Sequence, residues 1–164
     1  MPSYWLFKSE PTTFSFADLE RAKDQTTFWH GVRNYQARNL LRDEIENGDG
    51  VLFYHSSCTV PAVVGIAEVV REGYPDHTQF DPKSEYYDAD AREDDPRWFM
   101  VDIRAERELE RAVTLEEMRE VPALREMKLL KRGMRLSVQP VTENEWKTIL
   151  ALGSSGPSKK AKRK

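Results

Sequence analysis

The chain has 164 residues, of which 39% are hydrophobic and 32% are charged, and its formal net charge is −3. This length predicts one domain, and the single cysteine, Cys58, excludes an intramolecular disulfide and a multi-thiolate zinc site. The last twelve residues carry five of the 25 bases and no acid, which leaves 20 bases against 28 acids in the other 152 residues and excludes a surface that coats DNA by charge alone.

The first 48 residues predict one strand and two helices. The stretch "YWLFKS" at residues 4–9 is aromatic and apolar, which is typical of a strand. The stretch "SFADLERAK" predicts a helix capped by Ser15, with Asp18 completing a capping box. The stretch "NYQARNLLRDEIENG" has one apolar face, so it predicts a longer helix with Asn34 and Gly48 near its ends.

The rest of the chain predicts four further strands and three short helices. The strands are "VLFYHS", "AVVGIAEVV" with a bulge at Gly65, "WFMVDIRAER" and "RLSVQPV", whereas residues 74–97 predict a loop. The helices are "TLEEMREV", "PALREMKLLKRG" and "TENEWKTILALG". Strands and helices do not alternate regularly, so the pattern favours an α+β fold, a small mixed barrel surrounded by short helices. We place this domain at residues 1–152 and expect residues 153–164 to form a flexible basic tail.

The sequence contains no pattern typical of secretion, membrane insertion, phosphate-binding loops or zinc binding. The N-terminus lacks the apolar run of a signal peptide, and no stretch approaches the roughly 20 apolar residues of a membrane helix. Phosphate-binding glycine loops and zinc-binding HExxH motifs are missing, and the three histidines are scattered. We therefore expect a monomer without cofactor, metal or membrane contact, in the cytoplasm or, in a eukaryote, the nucleus.

The stretch "WHGVRNYQARN" at residues 29–39 concentrates side chains that stack on rings or hydrogen-bond to flat polar edges. Some could instead belong to the core or to a solvated helix face. Similar polar groups end the predicted strands in "KSEP", "FYHSS" and "RLSVQP". If these ends converge at one barrel mouth, they form an aromatic pocket with fixed donors and acceptors, which is what a single extruded nucleobase requires.

Two other readings of the same residues remain open. An enzyme, either a nuclease or a base-acting hydrolase, would use Glu10, His55 and Cys58, although no catalytic motif surrounds them. An interaction module would use the aromatic pocket for a peptide or a small molecule. The acidic segment at residues 81–95 lacks the ligand spacing of a calcium loop, so we expect a solvated loop there.

Seven strings between residues 4 and 146 together resemble the EVE domain family. They are "YWLFKSEP", "WHGVRNYQARN", "GDGVLFYHSSC", "VVGIAEVV", "YPDHTQFDPKSEYYD", "PRWFMVDI" and "RLSVQPVTENEW". The resemblance implies a PUA-like fold, a mixed β pseudo-barrel. It also implies binding of a modified base, with modified cytosine the expected one, in DNA or RNA, and it brings no cofactor and no settled catalytic activity.

Carried over motif by motif, the resemblance implies a set of nucleobase-binding residues. We expect Trp29 to form an aromatic wall, with Arg33 and Asn34 as polar groups that recognise the base edge. The full set is Lys8, Ser9, Glu10, Trp29, Arg33, Asn34, Tyr35, Arg38, Tyr54, His55, Ser56, Ser57, Ser137 and Gln139. Relatives often carry Asn where this chain has Ser57, and the segment "ADARED" departs from the family pattern, so base preference and pocket rim are expected to differ.

Overall fold

Six strands form one mixed sheet in the computed structural model, which describes residues 2–154. The strands are β1 (Tyr4–Ser9), β2 (Thr26–Phe28), β3 (Gly50–His55), β4 (Ala62–Pro75), β5 (Phe99–Thr114) and β6 (Val138–Val141), arranged in the order β2-β5-β4-β3-β1-β6. The helices are α1 (Phe16–Arg21), α2 (Tyr35–Asp43), α3 (Leu115–Arg119) and α4 (Glu143–Ser154). Short 3-10 turns occupy Lys23–Gln25, His77–Phe80, Pro122–Leu124 and Lys128–Leu130.

Strand β1 lies between β3 and β6, parallel to β3 and antiparallel to β6. The parallel register pairs Ser9 with His55, so the carboxyl ends of β1 and β3 lie side by side. The pairing of β1 with β6 joins Phe7 to Val138. Strand β1 therefore brings its own polar end next to the chain that leads into β6, as the sequence predicted for "KSEP" and "RLSVQP".

The sheet is curled, because residues from one edge contact strands at the other. Trp29 directly follows the edge strand β2, yet its ring centroid lies 5.2 Å from that of Phe7 in β1 and 5.5 Å from that of Phe53 in β3. The curl is helped by Gly65, where a Cβ atom would come within 2.6 Å of the ring of Phe16 and where the pairing with β5 shifts register. The PUA-like α+β fold and the irregularity at Gly65 are both confirmed.

Two apolar clusters cover the two faces of the sheet. Because alternate side chains of a strand point to opposite faces, Phe7 belongs to one cluster and Leu6 to the other. Helices α1 and α2 supply buried side chains to the first cluster, among them Leu41. Helices α3 and α4 cover the second, with Met118 and Ile149 fully buried. The polar side chains at the strand ends thus stand on a rigid, two-sided core.

The helix starts follow the capping residues that the sequence predicted. The side chain of Ser15 accepts a hydrogen bond from the backbone N–H of Asp18, and the Asp18 carboxylate accepts one from the N–H of Ser15. At Thr114 the predicted N-cap is confirmed by the bond from the N–H of Glu117, but the Glu117 carboxylate binds Arg111 instead of closing the predicted capping box. The box before α4 is confirmed, between Thr142 and Glu145. Such caps each contribute about 1 kcal/mol.

The predicted helix in "PALREMKLLKRG" was wrong, because the segment forms two separate 3-10 turns. The backbone is extended at Met127 (ψ 136°), which lies between the turns. Leu124, Met127 and Leu129 are all buried in the second cluster. Their spacing of three and then two residues does not fit one face of an α-helix, so packing of all three side chains breaks the helical run.

Several element boundaries also differ from the sequence-based prediction. Strand β2 was missed, because three residues are too few to show an alternation of apolar and polar side chains. Strand β5 continues to Thr114, because the side chains of Leu109 and Val113 remain buried. Strand β6 starts only at Val138. Helix α2 ends at Asp43 rather than near Gly48.

The predicted tail begins inside helix α4. Gly153 is buried at the end of this helix, where a Cβ atom would lie 2.8 Å from Leu109, so the missing side chain permits the close packing. Residues 155–164, which make up the rest of the predicted tail, lie outside the described residues.

A buried carboxylate explains the early end of α2. Asp49 is 2% exposed and accepts hydrogen bonds of 2.9 Å from the indole N–H of Trp5 and from the backbone N–H groups of Ser3 and Glu46. These bonds fold residues 44–49 into a turn that directs the chain into β3.

The substitution Asp49→Ala is expected to lower the free energy of unfolding by about 2–4 kcal/mol, because it leaves buried donors without an acceptor. Urea unfolding monitored by tryptophan fluorescence measures this loss. The control Asp94→Ala removes a carboxylate that is 70% exposed and should change the value by less than about 0.5 kcal/mol. Equal losses in the two variants would contradict the assignment.

Candidate functional site

A cavity of about 550 Å³ opens where the carboxyl end of β1 faces the end of β2. This volume lies within the roughly 300–1,000 Å³ of small-molecule and cofactor sites. Its walls are Lys8, Ser9, Glu10, Thr13, Phe14, Thr27, Phe28, Trp29, His30, Gly31, Val32, Arg33, Glu85, Tyr86 and Ser137. The cavity is therefore built by the two edges of the curled sheet and by the segment around Tyr86.

Six of the fourteen predicted site residues line this cavity. They come from the three separate segments that sequence analysis expected to converge, "KSEP", "WHGVRNYQARN" and "RLSVQP". The six are Lys8, Ser9, Glu10, Trp29, Arg33 and Ser137.

Four predicted residues from the α2 and β6 regions have other positions. The side chain of Asn34 accepts a hydrogen bond from the N–H of Ala37 and so caps helix α2. Tyr35 and Arg38 lie on the outer face of α2, where the guanidinium of Arg38 sits 5.0 Å from the Tyr35 ring centroid. Gln139 is 1% exposed and donates to the carbonyl of Leu136. Helix capping by Asn34, the stacking of Tyr35 on Trp98 and the burial of Gln139 therefore place these side chains outside the cavity.

The "FYHSS" segment after β3 also stands outside the cavity walls. Nε2 of His55 accepts a hydrogen bond of 3.1 Å from the backbone N–H of Phe16, and burial lowers the pKa of His55, so the neutral ring serves as an acceptor at the start of α1. Ser57 has a positive φ of 54° and belongs to a turn, with Ser56 just before it. Tyr54 is 3% exposed and lines a different groove.

The aromatic wall of the cavity is formed by Trp29 together with Phe14 and Phe28. Trp29 is 9% exposed and also packs on the core ring of Phe7, so it is fixed in position. Its indole N–H has no hydrogen-bond partner among residues 2–154. In that range, every fully buried polar side-chain atom has a partner. The N–H is therefore open to solvent, and because Trp29 lines the cavity it can donate to a ligand there. Phe28 is 40% exposed, and the rings of His30 and His77 contact it in T-shaped arrangements at 5.0 Å.

Two charged side chains from the end of β1 stand beside this wall. Lys8 is half-buried, burial lowers its pKa, and its Nζ lies 3.5 Å from the carbonyl of Met134. Glu10 is exposed, and its carboxylate accepts no hydrogen bond from the described residues. Between them, Ser9 donates to the carbonyl of Phe14 at 2.5 Å and holds the following turn. The cavity thus offers the cation of Lys8 and the carboxylate of Glu10 to a ligand, and a second acid, Glu85, also lines it.

Arg33 lines the cavity but has no N–H group to spare. Its guanidinium donates to the carbonyls of Tyr86 and Val32, to the carboxylate of Asp76 and to the hydroxyl of Thr78. These five bonds use all five donors of the group. Arg33 therefore holds the wall in place rather than recognising a ligand edge.

Asp76 connects the cavity-lining segment 31–33 to the turn at His77–Phe80. Its fully buried carboxylate accepts hydrogen bonds from the N–H of Gly31 at 2.8 Å, from Arg33 at 3.1 Å, and from the N–H and hydroxyl of Thr78. Burial alone would raise the pKa of Asp76, but these bonds hold it below its ordinary value of 3.8. Gly31 has a φ of +84°, and a Cβ there would lie 2.8 Å from the Tyr86 ring, so only glycine fits this contact.

Comparison with known proteins agrees with this architecture. The EVE domain family model matches residues 3–152. The chain belongs to the EVE domain family. Thymocyte nuclear protein 1 of Mus musculus is 43% identical over 175 residues, which cover 96% of this chain and 76% of the relative.

Solved structures of related proteins share the fold along nearly their whole length. A Pseudomonas syringae crystal structure is 44% identical with a TM-score of 0.86, covering 92% of this chain and 99% of that one. The human THYN1 protein, solved in complex with DNA that contains 5-methylcytosine, is 41% identical with a TM-score of 0.89. That comparison covers 94% of this chain and 99% of the human one. The EVE resemblance seen in the sequence is therefore confirmed.

The structure of this EVE domain adds residues that sequence analysis missed. Phe28 and His30 flank Trp29, with ring centroids 5.0 Å apart, and His30 contacts Tyr86 edge-on at 5.3 Å. Phe28 directly precedes the predicted stretch, so its aromatic character was a usable signal. Asp76 and Tyr86 lie more than forty residues away, and the signal for them was the string "YPDHTQFDPKSEYYD", which carried part of the family resemblance.

The residues proposed for catalysis are not arranged as a catalytic pair. The thiol of Cys58 is 3.8 Å from the backbone carbonyl of His55, whereas the imidazole of His55 bonds to Phe16. Within residues 2–154, no group of three or more histidine, cysteine or acidic side chains could hold a metal ion. In the same range, none of the helices combines the length and apolarity that a membrane span requires.

The Asp76 network makes the stability of the EVE domain dependent on pH. Because the folded pKa lies below 3.8, the ionised carboxylate contributes its full stability above this value and loses it as the pH falls through the folded pKa. Asp76→Asn should lower the free energy of unfolding by about 2–4 kcal/mol at pH 7, because an amide cannot accept from all these donors.

The difference between wild type and Asp76→Asn should shrink as the pH falls from about 5 to about 2. Chemical unfolding at a series of pH values measures it. The control Glu106→Gln neutralises an exposed carboxylate on β5 and should follow the wild-type curve. A difference for Asp76→Asn that stays constant across this pH range would contradict an ionised Asp76 at the centre of the network.

Proposed function

We propose that this EVE domain binds DNA or RNA that carries a modified base, by taking the flipped base into the 550 Å³ cavity. Modified cytosine is the preferred base in this proposal. The observation that carries it is the cavity itself, which pairs a rigid aromatic wall with unused polar groups. Support also comes from the human THYN1 protein, which is solved with DNA containing 5-methylcytosine and shares the fold.

The aromatic wall supplies affinity that does not depend on the base type. A base entering the cavity stacks on the exposed ring of Phe28 or against Trp29, and each such contact contributes about 1–3 kcal/mol. Because Trp29 is already fixed by Phe7 and Phe53, little ordering accompanies binding. Stacking can therefore offset the few kcal/mol that flipping a base costs.

The polar groups beside the wall match the edge of a cytosine. The amino group of cytosine donates, and the free carboxylate of Glu10 accepts. The ring acceptors of cytosine match Lys8 and the indole N–H of Trp29, which both donate. A methyl group on the ring would contact apolar cavity residues such as Val32. Bases with the opposite donor pattern would leave these groups unpaired, which costs about 1–3 kcal/mol each.

The overall charge fits a protein that binds at one site. The chain carries 28 acids and 25 bases, so affinity for unmodified duplex should be modest. A single-stranded or mispaired base is easier to extrude, and such substrates should bind best. We place this activity in a monomer in the cytoplasm, or in the nucleus of a eukaryote.

Binding to short oligonucleotides with one cytosine or one 5-methylcytosine tests the proposal by fluorescence anisotropy. Wild type should prefer the modified strand. Phe28→Ala should weaken binding about 5- to 100-fold through lost stacking, and Glu10→Ala about tenfold through a lost edge contact. Both side chains are exposed, so the fold is preserved, whereas Trp29→Ala would open a core cavity.

The matched control is Tyr35→Ala, which removes an aromatic ring that is 53% exposed but lies outside the cavity. Its affinity should equal that of wild type. Equal binding of modified and unmodified strands by wild type would reject the proposal. A loss in Tyr35→Ala that matches the loss in Phe28→Ala would move the binding site to the outer face of α2.

A further inference from the structure

A second groove, of about 640 Å³, borders the cavity at the end of β1. Its walls are Lys8, Tyr54, Leu115, Arg119, Leu129, Leu130, Lys131, Arg132, Gly133 and Met134. Four of these ten side chains are basic and none is acidic, although acids outnumber bases in the chain as a whole. Positive charge is thus concentrated along this groove.

The cations of the groove are available to a ligand. Arg119 and Arg132 are exposed, and their guanidinium groups make no ion pair or hydrogen bond with the described residues. Lys131 contacts Glu126 at 2.9 Å, but the two side chains are 47% and 78% exposed, and pairs of this kind contribute little. An anionic ligand would therefore displace no strong internal interaction.

Lys8 connects the groove to the base cavity, because its side chain lines both. The backbone N–H of Lys8 donates to the carbonyl of Ser137, and its Nζ lies 3.5 Å from the carbonyl of Met134. The end of β1 and residues 134–137 thus form a narrow ridge between the two depressions. A polymer with one unit in the cavity meets the groove on crossing this ridge.

Tyr54 adds a neutral donor to the floor of the groove. Its ring is buried, and its hydroxyl has no hydrogen-bond partner among residues 2–154. Every fully buried polar side-chain atom in that range has a partner, so the Tyr54 hydroxyl must be in contact with solvent. Burial raises the pKa of Tyr54 to about 12, which keeps the hydroxyl protonated and able to donate. Leu115 and Leu129 supply apolar surface beside it.

We propose that the groove binds the phosphodiester backbone of the strand whose base occupies the cavity. Arg119 and Arg132 contact phosphate oxygens with their planar donor groups, and the leucines pack on sugar rings. This inference rests on the proposed function of the cavity. It assigns affinity for any sequence to the groove and base selection to the cavity.

The salt dependence of binding separates these two roles. The probes are two single-stranded oligonucleotides, one with a 5-methylcytosine and one unmodified, measured by anisotropy over about 50–300 mM salt. In Arg119→Gln/Arg132→Gln, the slope of log K against log salt should fall in magnitude by about 0.7 per lost phosphate contact, or about 1.4 in total. Affinity near 0.15 M salt should fall about tenfold for both strands, so the preference for the modified strand should be unchanged.

The control is Arg104→Gln/Arg107→Gln, which removes two exposed arginines of β5 that line neither depression. A slope change no larger than in this control would overturn the groove assignment, as would a loss confined to the modified strand. Equal binding of both strands by wild type would instead reject base selection by the cavity. The slope comparison would still decide the role of the groove.

Discussion

The carboxylate of Asp76 is the interaction on which the binding cavity depends. It is fully buried, and such a charge is tolerated only when hydrogen bonds replace the water that it loses. Here the bonds come from Gly31 and Arg33, which line the cavity, and from Thr78 in the turn behind them. The geometry of the site is therefore set before a ligand binds, and little binding free energy is lost to ordering the cavity residues.

The pairing of the strands determines where this site can form. Parallel strands end at the same edge, so the pairing of β1 with β3 brings two polar strand ends together. The curl of the sheet then carries Trp29 across to β1. Only one of the two polar ends enters the cavity, because His55 turns away to accept the first N–H of α1. Lys8 at the same strand end also borders the groove, whose four basic side chains include its own.

Sequence patterns predicted the parts of this protein that depend on near neighbours. Period-two apolar runs gave the longer strands, and the capping residues Ser15 and Thr114 marked helix starts correctly. Lys8 and Glu10 were recognisable because they stand at the end of a clear strand. In contrast, Arg33 looked like a free cation, and its partners at residues 76–86 are visible only once the chain is folded. Tertiary packing, which local patterns do not carry, also divided the segment after Val121 into two turns.

The position of β1 has a consequence for synthesis on the ribosome. Within the domain this strand is translated before the other five, yet it lies between β3 and β6, and Phe7 pairs with Val138 in the last strand. The edge of β1 that pairs with β6 stays without its partner until almost the whole domain has been translated. Ser137, which completes the cavity, arrives with the same late segment. A nascent chain stalled before this point would therefore hold most of its hydrophobic core but no finished binding site.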